Sequence, residues 1–248
     1  MRMICLLLLC ALSAPAWGPK GHRIVALIAE ERLAPNVLAR LHGILGGETL
    51  AEASTWADDA RQLPNWRQSG PWHYVNIRDG QTYRKSKKER RGDVLTALER
   101  FRKNLGKGSA GQRKDALRFL IHFVADLHQP LHVGRAEDRG GNLVEVSWFG
   151  RPSNLHAVWD SGILSYERLR DDEWVRLLTR VDAAQAERWA DSTPLDWAEE
   201  SMALRPKVYR IGDGKLGRDY QQANLPAVRQ RLAQAGVRLA AFLERALD

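Results

Sequence analysis

The 248-residue sequence has very few cysteines, and both of them, Cys5 and Cys10, lie within the first ten residues. Two cysteines in a chain of this length exclude a miniprotein held together by disulfides. The average globular composition, 44% hydrophobic and 27% charged, also excludes disordered and collagen-like chains. The sequence has no Gly/Ser-rich or proline-rich linker and no repeat of fixed period. These absences together predict one domain with a core of its own.

The N-terminus contains the one long apolar run, and it has the layout of a secretory signal peptide. Arg2 supplies a positive charge, and Met3 to Leu12 is apolar but too short to span a bilayer. Small residues follow up to Ala16, so we expect residues 1–16 to be removed and Trp17 to become the N-terminus. The alternative is that this run forms an apolar helix of the folded domain. Cleavage predicts a secreted or periplasmic protein with no cysteine and no membrane anchor.

Positive charge is in excess: the sequence contains 38 Lys and Arg residues and 30 Asp and Glu residues, which gives a formal net charge of +8. Such a balance favours anionic partners without establishing one. The densest basic segment runs from Arg84 to Arg91. It is interpreted either as a patch that attracts a polyanion or as a solvated loop in front of a helix capped by Asp93, and we favour the loop.

Apolar residues recur mainly with the helical period of three and four residues. The segments with this pattern are 24–33, 37–45, 50–63, 94–105, 116–127, 174–181, 195–204 and 226–247. Strand-like alternation is confined to 143–148 and, more weakly, to 72–77. The sequence therefore predicts a mainly α fold, a single helical domain with at most a small β-ribbon.

Two His-x-x-x-Asp pairs are the chemically most informative feature. His122 and Asp126 lie four residues apart on an apolar helix, and His156 and Asp160 repeat this spacing, with His132 between the pairs. One such pair alone is more often an ordinary core histidine bonded to a carboxylate. A buried carboxylate needs a partner, however, and two pairs together favour a metal. Imidazole and carboxylate ligands without thiolate suit zinc, although iron or manganese in some positions is not excluded.

Three further candidate ligands lie nearer the N-terminus. His22 is five residues after Trp17, whose free α-amine would have a pKa near 8 and could bind a metal together with its own carbonyl oxygen. Signal cleavage would then create a metal ligand. Asp58 and His73 complete the set, and either of them alone is weak evidence.

These residues stand in segments that resemble the S1/P1 nucleases, zinc-dependent phosphodiesterases secreted by fungi, plants and bacteria. The matching segments are Trp17–His22, Trp56–Arg61, His73–Asn76, Ala116–Asp126, Gln129–His132, Gly140–Asn142, Asn154–His156 and Trp159–Asp160. The similarity continues in order to the C-terminus and covers essentially all of 17–248. The absence of cysteine after residue 16 and of any Asn-x-Ser/Thr sequon implies a bacterial-type member.

The resemblance implies a helical domain of the phospholipase C/P1 nuclease type with three Zn²⁺ ions in a cleft. The implied ligands are Asp58, His73, His122 and Asp126 for one ion; Trp17, His22 and Asp126 for a second; and His132, His156 and Asp160 for the third. No ligand role falls to His42 or His128.

The resemblance also implies an endonuclease acting on single-stranded DNA and RNA, with 5′-phosphate products and possible 3′-nucleotidase activity. Asp58 would orient the attacking water, and Arg61 would neutralise charge on the phosphoryl oxygens. Tyr74 would stack on a base, with Asn76 and Asn142 contacting its edge. The family has an aspartate at the position of Asn76, so base preference should change or broaden.

Two alternatives are set against this interpretation. A zinc phospholipase C shares the fold, but its first histidine lies much farther from the N-terminus and its last ligand pair ends in Glu, unlike His156 and Asp160 here. A secreted zinc- or nucleic-acid-binding protein without activity would not need Asp58 and Arg61. No obligatory protein partner is predicted.

Overall fold

The computed structural model describes residues 17–247, so the predicted signal peptide and both cysteines lie outside the described residues. Helices dominate this part of the chain, which confirms the predicted mainly α class. They are α1 Pro19–Glu30, α2 Pro35–Leu45, α3 Leu50–Ala53, α4 Trp56–Ala60, α5 Val94–Lys107, α6 Ala110–Leu127, α7 Leu155–Ala157, α8 Ile163–Tyr166, α9 Asp171–Leu178, α10 Ala183–Ala190, α11 Pro194–Val208 and α12 Arg218–Leu247. Between residues 17 and 247, no helix is long and apolar enough to cross a membrane.

Short segments of other types connect the helices. Three are 3₁₀ turns, at Pro64–His73, Tyr83–Lys85 and Pro130–His132, and a π-helical turn, Val158–Gly162, joins α7 to α8. The strands are β1 Val75–Asn76, β2 Val133–Gly134, β3 Glu145–Trp148, β4 Arg151–Asn154 and β5 Lys215–Leu216. Strand β1 pairs in parallel with β2, and β3 lies between β4 and β5. The two small sheets agree with the small β content predicted from the sequence.

The sequence explains where several helices begin. Thr49 and Asp93 form the capping boxes that open α3 and α5, and Asp93 is the cap that the sequence predicts for α5. Helix α6 begins six residues earlier than predicted, because Ser109 and Gln112 form a further capping box in front of a polar first turn. These caps satisfy backbone N–H groups that have no partner within the helix.

Helix α12 packs closely against α1 in the centre of the molecule. A Cβ atom on Gly236 would lie 2.3 Å from Cγ2 of the buried Ile28, so only glycine permits this approach. Helix α6 lies beside α5, where Phe119 stacks on Phe101 with ring centroids 4.4 Å apart. Truncating such a buried aromatic side chain typically costs about 3–5 kcal/mol. These contacts hold α1 and α6, the two helices that contribute most to the site.

Apart from the earlier start of α6, the fold differs from the sequence prediction within 50–63, at α10 and at the start of α12, which begins at Arg218 rather than at 226. The predicted helix 50–63 is divided into α3 and α4 at Ser54, whose hydroxyl donates to the Ala51 carbonyl at 2.7 Å and competes with helical hydrogen bonding. Helix α10 was not predicted, because it buries no residue and therefore lacks a clear apolar stripe. The break at Ser54 matters for function, since its carbonyl faces α6.

Candidate metal centre

The predicted metal ligands come from eight places in the chain and meet in the interior. They are Trp17 before α1, His22 on α1, Asp58 on α4, His73 before β1, His122 and Asp126 on α6, His132 before β2, His156 on α7 and Asp160 in the π-helical turn. All are buried except Asp58, which is half-buried. We refer to His22, Asp58, His73, His122 and Asp126 as the α6 group, and to the last three residues as the His132 group.

Asp126 is the centre of the α6 group. Its Oδ2 atom lies 3.1 Å from His73 Nδ1 and 3.3 Å from His122 Nε2. Its Oδ1 atom faces the other way, 3.3 Å from His22 Nε2. The two oxygens of one carboxylate therefore face two different sets of imidazoles, as a bridging ligand requires.

Asp58 closes the α6 group from the side of α4. Its Oδ1 atom is 3.7 Å from His122 Nε2 and 3.8 Å from His73 Nδ1, and it accepts a 2.7 Å hydrogen bond from the guanidinium of Arg61. The ring of His22 stacks on that of His122 at 3.8 Å. The structure thus brings together all five residues of this group.

The His132 group is equally compact. His156 Nε2 lies 3.2 Å from Asp160 Oδ2, and His132 Nε2 lies 3.9 Å from Asp160 Oδ1. The i,i+4 pair sits where the α-helix widens into the π-helical turn, a local form that is frequent at functional sites. These three residues are the same three that the sequence assigned to one ion.

Backbone carbonyls orient three of the histidines. The Nδ1–H of His122 donates to the Ser54 carbonyl at 2.7 Å, that of His132 to the His73 carbonyl at 2.6 Å, and that of His156 to the Gly140 carbonyl at 2.6 Å. In each ring Nε2 is left to face the carboxylates. Metal-binding histidines characteristically have this second partner, which fixes the tautomer and the ring direction.

The carbonyl at position 140 can reach His156 only when the residue there is glycine. Its φ is +62°, in the left-handed region, and a Cβ atom would lie 2.3 Å from the Leu131 carbonyl oxygen. The loop that orients His156 therefore depends on the absence of a side chain at this position.

Burial shifts the pKa values of residues in both the α6 group and the His132 group. It lowers the pKa of His22, His73 and His132 well below the usual histidine value, and their histidine neighbours add to this effect. Burial, reinforced by the negative charge of Asp58, raises the pKa of Asp126 well above its ordinary range. Neutral imidazoles are the form that binds metals, and a buried carboxylate is readily ionised only beside a cation.

Several buried polar atoms lack a hydrogen-bond partner within residues 17–247. Those in the α6 group and the His132 group are both ring nitrogens of His22, Nε2 of His73, Nε2 of His132, Oδ1 of Asp126 and Oδ2 of Asp160. Unpaired buried polar atoms are costly, and these face one another in sets of nitrogen and oxygen donors. The residues present therefore fit bound zinc, which prefers such donors.

Trp17 is the first described residue, and it is fully buried. The backbone N–H of Gly18 donates to the Asp160 carbonyl at 2.7 Å, which ties the start of α1 to the His132 group. A Cβ atom on Gly18 would lie only 2.0 Å from the Ser161 hydroxyl oxygen, so this contact is tight. Trp17 thus begins the segment that carries His22 and lies against the π-helical turn.

The predicted base-binding residues are distributed over two places. Tyr74, 37% exposed, and the half-buried Asn76 line one groove beside the α6 group. Asn142 is not among the residues lining this groove, and its amide donates to the Arg139 carbonyl at 2.9 Å. The structure brings together two of the three predicted residues.

Sequence reasoning assigned no role to two buried positioning residues. The Gln129 amide donates to Oδ1 of Asp160 and its carbonyl oxygen accepts from the Leu131 N–H at 2.6 Å, although its place in the Gln-Pro-Leu-His segment was a signal. Arg205, from α11, donates to the carbonyls of Ile77 at 2.6 Å and Gly134 at 3.0 Å. It therefore clamps β1 and β2, the strands that directly follow His73 and His132.

His128 is buried but has no free ring nitrogen. Its Nδ1–H donates to the Val124 carbonyl at 2.7 Å, and Nε2 accepts from Arg238 at 3.1 Å. His42, in contrast, is partly exposed, 3.9 Å from Glu30. Neither histidine belongs to the α6 group or the His132 group.

The sequence is similar to a known protein family and to proteins of plants and fungi. The family model of the S1/P1 nuclease matches residues 17–248. Endonuclease 2 of Arabidopsis thaliana is 33% identical, over 96% of this chain and 93% of its own length. Nuclease S1 of Aspergillus oryzae is 28% identical, over 92% of this chain and 91% of its own, and nuclease P1 of Penicillium citrinum is 27% identical, over 92% and 96%.

Proposed function

Because the chain belongs to the S1/P1 nuclease family, we propose that it is a zinc-dependent endonuclease that hydrolyses phosphodiester bonds of single-stranded DNA and RNA. The observation that carries this proposal is the meeting of His and Asp donors in three sets: His22, Asp58 and His122; His73, His122 and Asp126; and His132, His156 and Asp160. A phospholipase C remains the enzyme alternative, and the experiment below separates the two.

The proposed metal assignment is three ions, with the ligands divided among them as the family resemblance implies. Asp58, His73, His122 and Asp126 would hold the first, Trp17, His22 and Asp126 the second, and His132, His156 and Asp160 the third. Zinc in such a site activates water near neutral pH and polarises phosphoryl oxygens. Trp17 joins this set only through a free α-amine, so residues 1–16 would have to be removed first.

Asp58 and Arg61 are the proposed catalytic residues. The half-buried Asp58 carboxylate, oriented by the 2.7 Å bond from Arg61, can accept a hydrogen bond from the attacking water. The positive charge of the guanidinium can neutralise charge as it develops on the phosphoryl oxygens. The resemblance supports 5′-phosphate products and 3′-nucleotidase activity on mononucleotides.

Tyr74 and Asn76 are the proposed base contacts, because both line the groove beside His73. Stacking on the partly exposed Tyr74 ring would tolerate many sequences. The Asn76 amide can both donate and accept, which widens the choice of base edge. Asn142 would join them only by exchanging its bond to Arg139 for one to a base.

The proposed location follows from residues 1–16. Their removal as a signal peptide would place the enzyme in the periplasm or outside the cell, where its zinc ligands would assemble without any cysteine. The domain would then comprise 17–248, the range that the family model matches.

The decisive experiment combines metal analysis of the processed protein with digestion of single-stranded DNA, single-stranded RNA and lecithin side by side. We expect zinc at each of the proposed metal sites, together with nucleic-acid fragments that carry 5′-phosphates. Lecithin hydrolysis without nucleic-acid cleavage would instead show a phospholipase. Zinc binding without hydrolysis of any substrate would show the non-catalytic alternative.

A further inference from the structure

The basic segment Arg84–Arg91 forms one side of the groove that contains Tyr74. This groove has a volume of about 580 Å³ and is lined from β1 by Tyr74 and Asn76 and from the basic segment by Lys85, Lys87 and Lys88. Its size lies within the range of pockets that bind small molecules. The segment, for which the sequence favours a solvated loop over a polyanion-binding patch, therefore shares a groove with two of the proposed base contacts.

The basic segment is held in place by packed and hydrogen-bonded anchors. Ser86 is buried, and its hydroxyl donates to the Tyr83 carbonyl at 2.8 Å. The Tyr83 hydroxyl donates to the carboxylate of Asp93 at 3.0 Å, and the Trp72 indole N–H donates to the Arg91 carbonyl at 2.7 Å. A loop that served only to connect two elements would not need these contacts, which fix its backbone against β1 and α5.

The anchors leave two lysines with their charge unmatched. Lys85 and Lys87 flank the buried Ser86 and are exposed, and within residues 17–247 neither side chain has an ion pair or a hydrogen bond. The two carboxylates of the groove have partners already: Glu89 lies 3.6 Å from Arg91, and Asp93 caps α5. The groove therefore carries unmatched positive charge.

One residue that lines the groove, Tyr74, is the chain neighbour of a residue of the α6 group. Tyr74 follows His73, so their Cα atoms are about 3.8 Å apart. The Tyr74 carbonyl accepts from the Val94 N–H at 3.2 Å, which links β1 to the start of α5 and hence to the anchored basic segment. A strand with one base on Tyr74 can continue along this groove.

We propose that the groove binds the backbone phosphates of a single strand beyond the nucleotide at the metal centre, with Lys85 and Lys87 as the contacts. This inference rests on the proposed function, and it adds a subsite that acts on chain length. Lysine contacts to phosphate carry no base information, so the subsite would strengthen binding equally for every sequence. A dinucleotide would be too short to use it.

The test compares the zinc-loaded parent with the variant Lys85→Ala/Lys87→Ala. Binding of a phosphorothioate oligothymidylate of about twelve nucleotides, which resists cleavage, is followed by fluorescence anisotropy from low to high salt. Each phosphate contact to a single strand contributes about 0.7 to the slope of log K against log salt, so the variant should lose about 1.4. Its affinity for a thymidine dinucleotide should change by less than about twofold.

The matched control is Lys107→Ala/Arg180→Ala, which removes the same charge from two exposed residues that do not line the groove. Lys107 ends α5, about 20 Å along the helix from the basic segment. An unchanged salt slope in the groove variant, or an equal loss in the control, would overturn the subsite. Failure of the parent to cut ordinary oligothymidylate would overturn the proposed function instead, since the binding slopes are measured without cleavage.

Discussion

Two buried polar clusters adjoin the C-terminal end of helix α6. One is the α6 group around His122 and Asp126. The other is the arginine network, which consists of His128, Glu200, Arg231 and Arg238. In this network Arg238 donates to both Glu200 oxygens, at 2.6 and 2.7 Å, and to His128. Both clusters contain a buried histidine, but of the two only the α6 group has histidine nitrogens and a carboxylate oxygen that lack a hydrogen-bond partner within residues 17–247.

The difference lies in whether the protein supplies its own cations. Arg231 and Arg238 both donate to the Glu200 carboxylate, and Arg238 also donates to the His128 ring. The arginine network therefore satisfies these groups from within the chain. Asp126 lies against His22, His73 and His122, while the nearby guanidinium of Arg61 donates to Asp58. Oδ1 of Asp126 has no hydrogen-bond partner within residues 17–247. Buried polar groups that a protein does not pair are a sign of an external ligand. Substitutions in the α6 group should therefore change zinc content and activity, whereas substitutions in the arginine network should leave zinc content unchanged.

The largest effect is expected for Asp126→Asn. The amide has lost the charge that balances two cations, so zinc bound by the α6 group should fall sharply and kcat/KM should drop by roughly 10²–10³-fold or more. Metal analysis and oligonucleotide hydrolysis measure both. His128→Ala, in the arginine network, should keep its zinc, and equal zinc loss in both variants would contradict the ligand assignment.

An N-terminal extension tests the same cluster without altering any side chain. If Trp17 binds zinc through a free α-amine, a short tag left in front of it should reduce zinc content and lower activity by roughly 10–100-fold. The arginine network contains no terminus, so the unfolding cooperativity of the tagged protein should be preserved. Equal zinc and activity with and without the tag would remove Trp17 from the ligands.

Gln129→Ala probes the support of the His132 group. Its amide donates to Asp160, so its loss should free that carboxylate to rotate and weaken zinc binding by roughly 10–100-fold, measured by competition with a chelator. Gln129→Glu is the conservative comparison, because it keeps the size but places an acceptor against Asp160. A chelator titration identical to that of the parent for both variants would show that Gln129 only fills space.

Glu200→Gln tests the arginine network and should leave zinc content unchanged. Burial raises the pKa of Glu200, but hydrogen bonds and charge from Arg238 and Arg231 outweigh it, and the net pKa is lowered from 4.5. A lowered pKa means that the stabilisation is fully present above about pH 4.5 and is lost as the pH falls through the folded-state value. The difference in unfolding free energy between parent and variant should be roughly 0.5–1.5 kcal/mol at neutral pH, because the Glu200 side chain is partly exposed and solvent screens its charge.

That difference should shrink as the pH is lowered below 4.5, because the parent then also carries a neutral side chain. Denaturant unfolding of both proteins at several pH values measures it, and metal effects common to both cancel. A difference that stays constant with pH would show that the Glu200 charge does not stabilise the network.

The sequence predicts the ligand residues of the metal centre better than the residues that hold those ligands in position. The apolar residues around His122 and Asp126 reveal a buried pair, because helix geometry alone puts residues four apart on one face. Gln129 and Arg205 act across the molecule, 31 residues from Asp160 and 128 from Ile77, and no local pattern reports such distances. The fold shows the same limit, since α10 lacks a buried face and the break at Ser54 depends on one side-chain hydrogen bond.

The hydrogen bond from Gly18 to the Asp160 carbonyl has a consequence for when the N-terminal segment docks during folding. It joins residues 142 positions apart (160 − 18), and contacts between such distant segments form late because a large loop must close first. The segment that carries Trp17 and His22 can take its place only after the turn around Asp160 exists. We therefore expect zinc uptake at the N-terminal ligands to be a final step of maturation, by which a chain that has folded and been trimmed becomes active.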